Sequence, residues 1–278
     1  MFTDTYFSSI KSIRGNTCAQ IWTNDIEWIR IYPMYTQSHA HHSTKKMFKN
    51  IGVPSKIMMD GARLQVMGKF KESCQDATVQ VQQLEYNTPW ANRAEGAVQE
   101  NKISTRRAMK KSACPARLWD YCAELQAKIR CHMAHNVTTL NGQVPKTMVT
   151  GNNADISELV EFGWYQWIYY RDATTSFTLT EEELGKYLGP YENIGSKMSM
   201  WILKYNGEIV SRPTLRTLTD SEIASDTENT KRDIFNKPVN KKTGPTLYNI
   251  GINLDLEELF DDIDTPRFTP YVDNEGIK

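Results

Sequence analysis

Residues 18–33 read Cys-Ala-Gln-Ile-Trp-Thr-Asn-Asp-Ile-Glu-Trp-Ile-Arg-Ile-Tyr-Pro. Ile29 and Ile31 alternate with Trp28, Arg30 and Tyr32, the two-residue period of a β-strand. Asn24-Asp25 tolerates the positive φ of a two-residue turn, so residues 18–23 and 27–32 form a hairpin whose second arm ends at Pro33. Upstream, residues 2–13 suit a strand and then a turn at Gly15-Asn16. Downstream the period changes. Residues 38–51 fit a helix with Ala40, Met47, Phe48 and Ile51 near one face, stopped by Gly52-Val53-Pro54. Residues 56–60 are a short apolar strand of the buried type. Leu64, Met67, Phe70, Cys74 and Ala77 recur at helical spacing, and residues 78–84 suit a further strand. A loop over residues 86–92 leads into a long helix, residues 93–111, with Ala94, Ala97, Val98, Asn101, Thr105 and Ala108 inward. After a break at residues 112–115, a second helix spans residues 116–132. Strands followed by alternating helices and strands define a mixed α/β layout.

The texture changes after residue 155. Residues 163–171, 185–191, 198–205 and 208–216 are short aromatic-rich strand candidates, and Asn206-Gly207 is the strongest hairpin signal in the chain. Several short strands in so few residues suggest a small barrel, whose core takes Trp164, Tyr165, Trp167, Tyr169 and Tyr170. Beyond residue 219 the sequence is polar and acidic, with little periodicity apart from a short helical stretch at residues 254–262. It reads as linker or disorder. The chain thus divides into an α/β unit (1–154), a barrel-like module (155–219) and an acidic tail (220–278).

Among 278 residues, 40% are hydrophobic, enough for a sizeable core. The longest apolar-leaning run, residues 162–170, is roughly half of the ~18 residues a membrane span needs. Met-Phe-Thr-Asp lacks the cationic and apolar regions of a signal peptide. The 5 cysteines form no C-x-x-C pair, so neither a zinc ribbon nor a disulfide framework is expected, and the reducing cytosol or nucleus is. The net charge of zero conceals an asymmetry: residues 101–150 hold nine basic side chains and two acidic ones, while the tail is acidic. Such a local surplus suits a phosphate-binding face.

Three carboxylates carry the candidate chemistry. Asp4 stands inside Phe-Thr-Asp-Thr-Tyr-Phe, Asp60 closes the apolar run Ile57-Met58-Met59, and Glu95 opens the long helix. Singly, each has an ordinary explanation as a strand-end residue or as an acid favoured by the helix dipole. Together, on a first strand, a later strand and a following helix, they can converge. Converging carboxylates repel one another and are tolerated where they hold divalent cations. Two such ions about 4 Å apart support an in-line phosphoryl displacement.

The sequence resembles the integrase of Copia-type long-terminal-repeat retrotransposons, in the retroviral-integrase branch of the RNase H-like superfamily. The resemblance rests on Phe2-Thr3-Asp4-Thr5, Asp60-Gly61 and Thr88-Pro89-Trp90-Ala91-Asn92-Arg93-Ala94-Glu95. It continues through Leu118-Trp119, Leu140-Asn141-Gly142-Gln143-Val144-Pro145, Thr150-Gly151, Leu188-Gly189-Pro190-Tyr191 and Ile209-Val210-Ser211-Arg212, covering about residues 1–220. It implies an RNase H-like mixed sheet with helices, then a small SH3-like barrel. It also implies two Mg²⁺ or Mn²⁺ ions held by Asp4, Asp60 and Glu95, no zinc, and DNA integration by 3′-end processing and strand transfer. Element ends and target DNA are the implied partners, in a homo-oligomer without a membrane. The sequence departs from the family in several places. One position is missing between Asp60 and Glu95, so Glu100 competes for the third carboxylate. Arg93 stands where a small residue is common. The family's N-terminal zinc module is absent, which suits a piece of a longer polyprotein.

If Glu95 faces the active site, Gln99, Lys102 and Arg106 share its stripe, with Arg107 and Lys110 flanking, and these together with Asn92 are the candidate nucleic-acid contacts. Two other readings stand beside this one: a non-catalytic DNA-binding or assembly remnant of a decayed element, and an RNase H-type nuclease.

Overall fold

A computed structural model of the protein describes residues 1–60, 68–84, 92–135, 140–171, 182–191 and 199–244. The first sheet has five strands in the order β3-β2-β1-β4-β5. These are β1 (Phe2–Phe7), β2 (Cys18–Thr23), β3 (Ile29–Met34), β4 (Lys56–Met59) and β5 (Gln80–Gln83). β1, β2 and β3 form an antiparallel meander, whereas β4 runs parallel to β1 and β5 parallel to β4. All six residues of β2 are buried, because helices cover both faces. On one face α1 (Ala40–Ile51) and α2 (Gly68–Asp76) pack over the sheet. There Trp22 stacks on Phe70 at 6.2 Å and its Nε1 donates to Ser43 Oγ at 3.1 Å. On the other face lie α3 (Arg93–Ser112) and α4 (Trp119–Cys131). Cys131 Sγ bonds to Ile29 of the edge strand, and Asn101 Nδ2 donates to Ala123 O, joining the two helices.

The hairpin is present but differs from the expected one. Its connection runs over residues 24–28, where Asn24 Oδ1 accepts from Ile26 N and Trp28 N, and Glu27 supplies the positive φ of 58°. β3 continues through Pro33 to Met34. Pro33 is tolerated because β3 is an edge strand, where a missing N–H breaks no ladder. The long helix runs from Arg93 to Ser112, close to the expected 93–111. The second helix begins with a 3₁₀ turn, Ala116–Leu118.

Two short helices, α5 (Pro145–Thr150) and α6 (Ser157–Val160), lead to a second sheet. It comprises β6 (Trp167–Arg171), β7 (Glu182–Pro190), β8 (Met200–Leu203), β9 (Ile209–Arg212) and β10 (Leu215–Thr217), all antiparallel, in the order β10-β6-β7-β8-β9. Among the described residues β9 and β10 do not pair, so the sheet is open rather than a closed barrel. The β8–β9 hairpin turns at Asn206-Gly207 as expected, Gly207 taking φ 73° beside the Lys242 side chain.

The expectation of a disordered tail is overturned for residues 220–244. α7 (Asp220–Ala224) starts with a capping box between Thr219 and Glu222, and α8 (Asp226–Thr243) follows. Phe235 and Val239, one turn apart, are buried in the main core, and Tyr169 Oη donates to buried Glu228 at 2.5 Å. The suggested helix at residues 254–262 lies outside the described residues. Among the described residues no helix is long and apolar enough to cross a membrane.

Where α8 docks, Trp167 meets Phe235 edge-on at 5.0 Å and carries on its ring the ammonium of Lys186, 3.6 Å from the ring centroid. Lys186 is 7% exposed, and burial lowers its pKa from 10.5 to about 7. From about pH 7 to 10.5 the unfolded chain therefore binds a proton that the folded chain does not, so stability rises with pH. Urea unfolding should show this rise between pH 7 and about 8.5, and Lys186→Met should flatten it. The window stops there because buried Cys114, its thiol pushed up by burial, acts in the opposite sense at higher pH.

Candidate active site

The pairing of β1 with β4 places two of the three carboxylates. Phe2 lies opposite Met58 in parallel register, and Asp4 and Asp60 each stand two residues further along the chain from that pair. The alternation of side chains puts Asp4 on the sheet face that carries Phe2 and Tyr6, the face covered by α3. Asp60 is the first residue beyond β4, at the carboxyl end of a parallel strand, where α/β sheets open a crevice. Both carboxylates are half-buried. Asp4 Oδ1 accepts from Thr5 N at 2.6 Å. Behind it, on the opposite face, Gln20 bonds Thr3 and Thr5, and Thr3 Oγ1 donates to Ile21 O, which fixes β1 to β2.

The third carboxylate is positioned by α3. Asn92 caps this helix, its Oδ1 accepting from Ala94 N at 3.2 Å, and Glu95 in the first turn complements the helix dipole. The helix runs alongside β1 in the same direction. Arg93 pairs with Asp25 beyond the end of β2, level with the start of β1, and Tyr6 Oη donates to Asn101 Oδ1 further on. Glu95 precedes Asn101 by six residues, about 9 Å of helix, while Asp4 precedes Tyr6 by about 7 Å of strand. Glu95 and Asp4 therefore lie at a similar level.

Helix periodicity then separates Glu95 from Glu100. Each residue turns by about 100°. Measured from Asn101, Arg93 and Glu100 fall about 80–100° to one side, and Glu95, Lys102 and Arg106 about 100–140° to the other. The first flank faces the β2–β3 turn and α4, since Arg93 pairs with Asp25 and Glu100 with Arg130. The second flank, with half-buried Glu95, Lys102 and Arg106, faces the β4 side of the sheet, where Asp60 lies. Gln99 and Lys110 point to the exposed back of the helix, and Arg107, also exposed, turns toward the first flank. Asn92 is 5% exposed, and its Nδ2 has no hydrogen-bond partner among the described residues. Trp90 lies outside them.

Among the described residues no group of three or more His, Cys, Asp or Glu side chains stands close enough to hold a metal ion. The oxygen donors of Asp4 and Asp60 are of the hard type that Mg²⁺ and Mn²⁺ take. Those two fit a divalent cation by their chemistry, while with Glu95 they form no closed set of three among the described residues. His39, His41 and His42 cluster at the start of α1 and likewise form no metal group. A set of cations that the sequence did not single out lies at the β3 edge, where Arg30 lines one cleft with Lys46 and Lys49 of α1.

No family model matches the chain, and no curated protein does. Among solved structures, it is similar to a chain of the simian T-cell lymphotropic virus intasome in complex with PP2A regulatory subunit B56 gamma. There the identity is 13%, with 79% of each chain covered and a TM-score of 0.42. It is also similar to the HTLV-2 integrase catalytic core domain in complex with magnesium (trimeric form), at 14% identity. That match covers 53% of this chain and 93% of the other, with a TM-score of 0.39.

Proposed function

We propose that this chain is a polynucleotidyl transferase of the Copia-type retrotransposon integrase class, which trims the 3′ ends of element DNA and joins them to target DNA. In this reading residues 1–154 are an RNase H-like catalytic core and residues 155–219 an SH3-like module. The protein works as a homo-oligomer in the nucleus or cytoplasm. One observation supports the reading: Asp4 and Asp60, distant in sequence, each stand two residues beyond Phe2 and Met58, which pair across the parallel strands β1 and β4. Two Mg²⁺ or Mn²⁺ ions, held by this pair with Glu95 when bound, would supply activation of the attacking hydroxyl and stabilisation of the leaving oxygen. The chain's own side chains do the positioning. Lys102 and Arg106, on the flank of α3 beside Glu95, neutralise phosphates next to the scissile one, and Asn92 Nδ2 offers a buried donor. These are backbone contacts, so they orient DNA without reading its sequence.

A second reading, a DNA-binding or assembly protein without catalysis, is favoured by the absence of a closed three-carboxylate group among the described residues. Incubation with Mg²⁺ or Mn²⁺, a terminal-repeat duplex and plasmid separates the two. The first reading expects joined product from the unaltered chain and none from Asp60→Asn, with duplex binding retained. Salt-sensitive duplex binding with neither trimming nor joining in either metal would establish the second. Cleavage of an RNA–DNA hybrid in place of joining would identify an RNase H-type nuclease.

A further inference from the structure

At the edge of the first sheet opposite β4 and β5, a cleft of about 280 Å³ opens between the α/β unit and the second sheet. Its cations come from four separate segments: Arg14 from the loop after β1, Arg30 from β3, Lys46 and Lys49 from α1, and Lys128 from α4. The single acid lining it, Glu124, is already paired with Arg14 at 2.8 Å, so the cleft carries a clear positive excess. Lys46 and Lys49 are exposed and have no ion-pair partner among the described residues.

The second ingredient is aromatic. Tyr32 of β3, Tyr191 after β7 and Trp201 of β8 line the same cleft and are half-buried, so ring surface remains open. Tyr191 and Trp201 support one another at 4.1 Å, and Trp201 rests edge-on against Tyr121 at 5.9 Å, which holds the rings in place. A basic groove with fixed, partly open rings is what an unpaired polynucleotide strand requires: cations for its phosphates and π-faces for its bases. A duplex buries its base faces and has no use for the rings.

We propose that this cleft binds a single strand of nucleic acid, with Lys46 and Lys49 on its phosphates and Tyr191 and Trp201 stacking on its bases. The site is separate from the Asp4–Asp60 pair. β3 is two strands away from β1, and the cleft lies on the far side of α4 from the Glu95 flank. Its existence does not depend on the chain being a transferase.

The test is fluorescence anisotropy on the full chain. The probes are a labelled 20-nucleotide oligothymidylate, an oligouridylate and an abasic oligomer of equal length, and a duplex. Lys46→Glu with Lys49→Glu, both on the exposed face of α1, should weaken oligothymidylate binding by at least about tenfold. It should also make the log–log salt slope shallower by about 1.4, with the thermal midpoint unchanged. Tyr191→Ala should weaken the base-bearing oligomers several-fold and leave the abasic one unaffected. Comparing the thymidylate and uridylate oligomers tells whether DNA or RNA is the preferred strand. The proposal is overturned if the lysine variant binds within about twofold of the unaltered chain. It is equally overturned if the abasic oligomer binds as tightly as oligothymidylate, or if the lysine variant loses more affinity for the duplex than for oligothymidylate. Asp60→Asn should bind the oligomers unchanged, so failure here and failure of the transferase reading give different patterns.

Discussion

On the proposed transferase reading, replacing Glu95 with Gln should lower metal-dependent joining by a factor on the order of 10²–10³, whereas Glu100→Gln should leave it within about twofold. The two glutamates are five residues apart on one helix, so they point about 140° away from each other and cannot serve the same centre. Glu100 is held by Arg130 on the flank that faces α4 and the β2–β3 turn. Glu95 stands on the opposite flank, over the β4 side, at the level of Asp4. A glutamine keeps the shape of the side chain and removes the charge, so loss of joining reports lost charge rather than lost packing. Glu95 is only half-buried, and the unfolding midpoint of Glu95→Gln should be nearly that of the unaltered chain. If instead Glu100→Gln is the inactive variant, the flank assignment of α3 is wrong. With it would go the roles of Lys102 and Arg106.

Much of the first unit could be read from the sequence because its elements have strong periods. Residues 93–111 carry small and apolar side chains at helical spacing, and the helix follows those limits almost to the residue. The site was legible as a set of candidates but not as a place. Nothing in Phe-Thr-Asp-Thr or Met-Met-Asp says that β4 lies beside β1 in parallel, with Phe2 opposite Met58 two residues before Asp4 and Asp60. The Asn-Arg-Ala-Glu context favours Glu95 over Glu100, but the ion pairs that hold Arg93 to Asp25 and Glu100 to Arg130 involve other elements and are not legible there. The tail misled for a related reason. α8 is anchored by two apolar residues, Phe235 and Val239, in a polar stretch that also contains Pro238, too sparse a pattern to stand out from linker. Its third anchor, Glu228 against Tyr169, is a buried polar pair that no hydrophobic count registers. The basic cleft was hidden in the same way, since Arg30, Lys46 and Lys128 are unremarkable until docking of the second sheet brings Tyr191 and Trp201 to them.

Arg14→Met should destabilise the fold by about 3–5 kcal/mol, the cost of leaving a buried carboxylate without its counter-charge. Arg14 reaches from the β1–β2 connection to α4, its Nε 2.8 Å from Asp120 Oδ2 and a terminal nitrogen 2.8 Å from Glu124, with the guanidinium stacked 3.8 Å over Tyr121. Asp120 is fully buried. Its other partners, Asn16 Nδ2 and Tyr121 N, are neutral donors that satisfy its lone pairs without balancing its charge. Methionine fills the volume of the arginine stem, so the measured loss reports the ion pair more than a cavity. Asp120→Asn should cost less, about 1–3 kcal/mol. It removes the buried charge itself, and Arg14 keeps Glu124 and partial access to solvent. The double variant should then be less unstable than the two single losses added together, because the uncompensated charge created by the first change is absent in the second. Urea unfolding of all four chains at one pH closes the cycle. Strict additivity would mean that Arg14 and Asp120 do not act as a pair, and that the loop carrying Arg14 is held to α4 by packing alone.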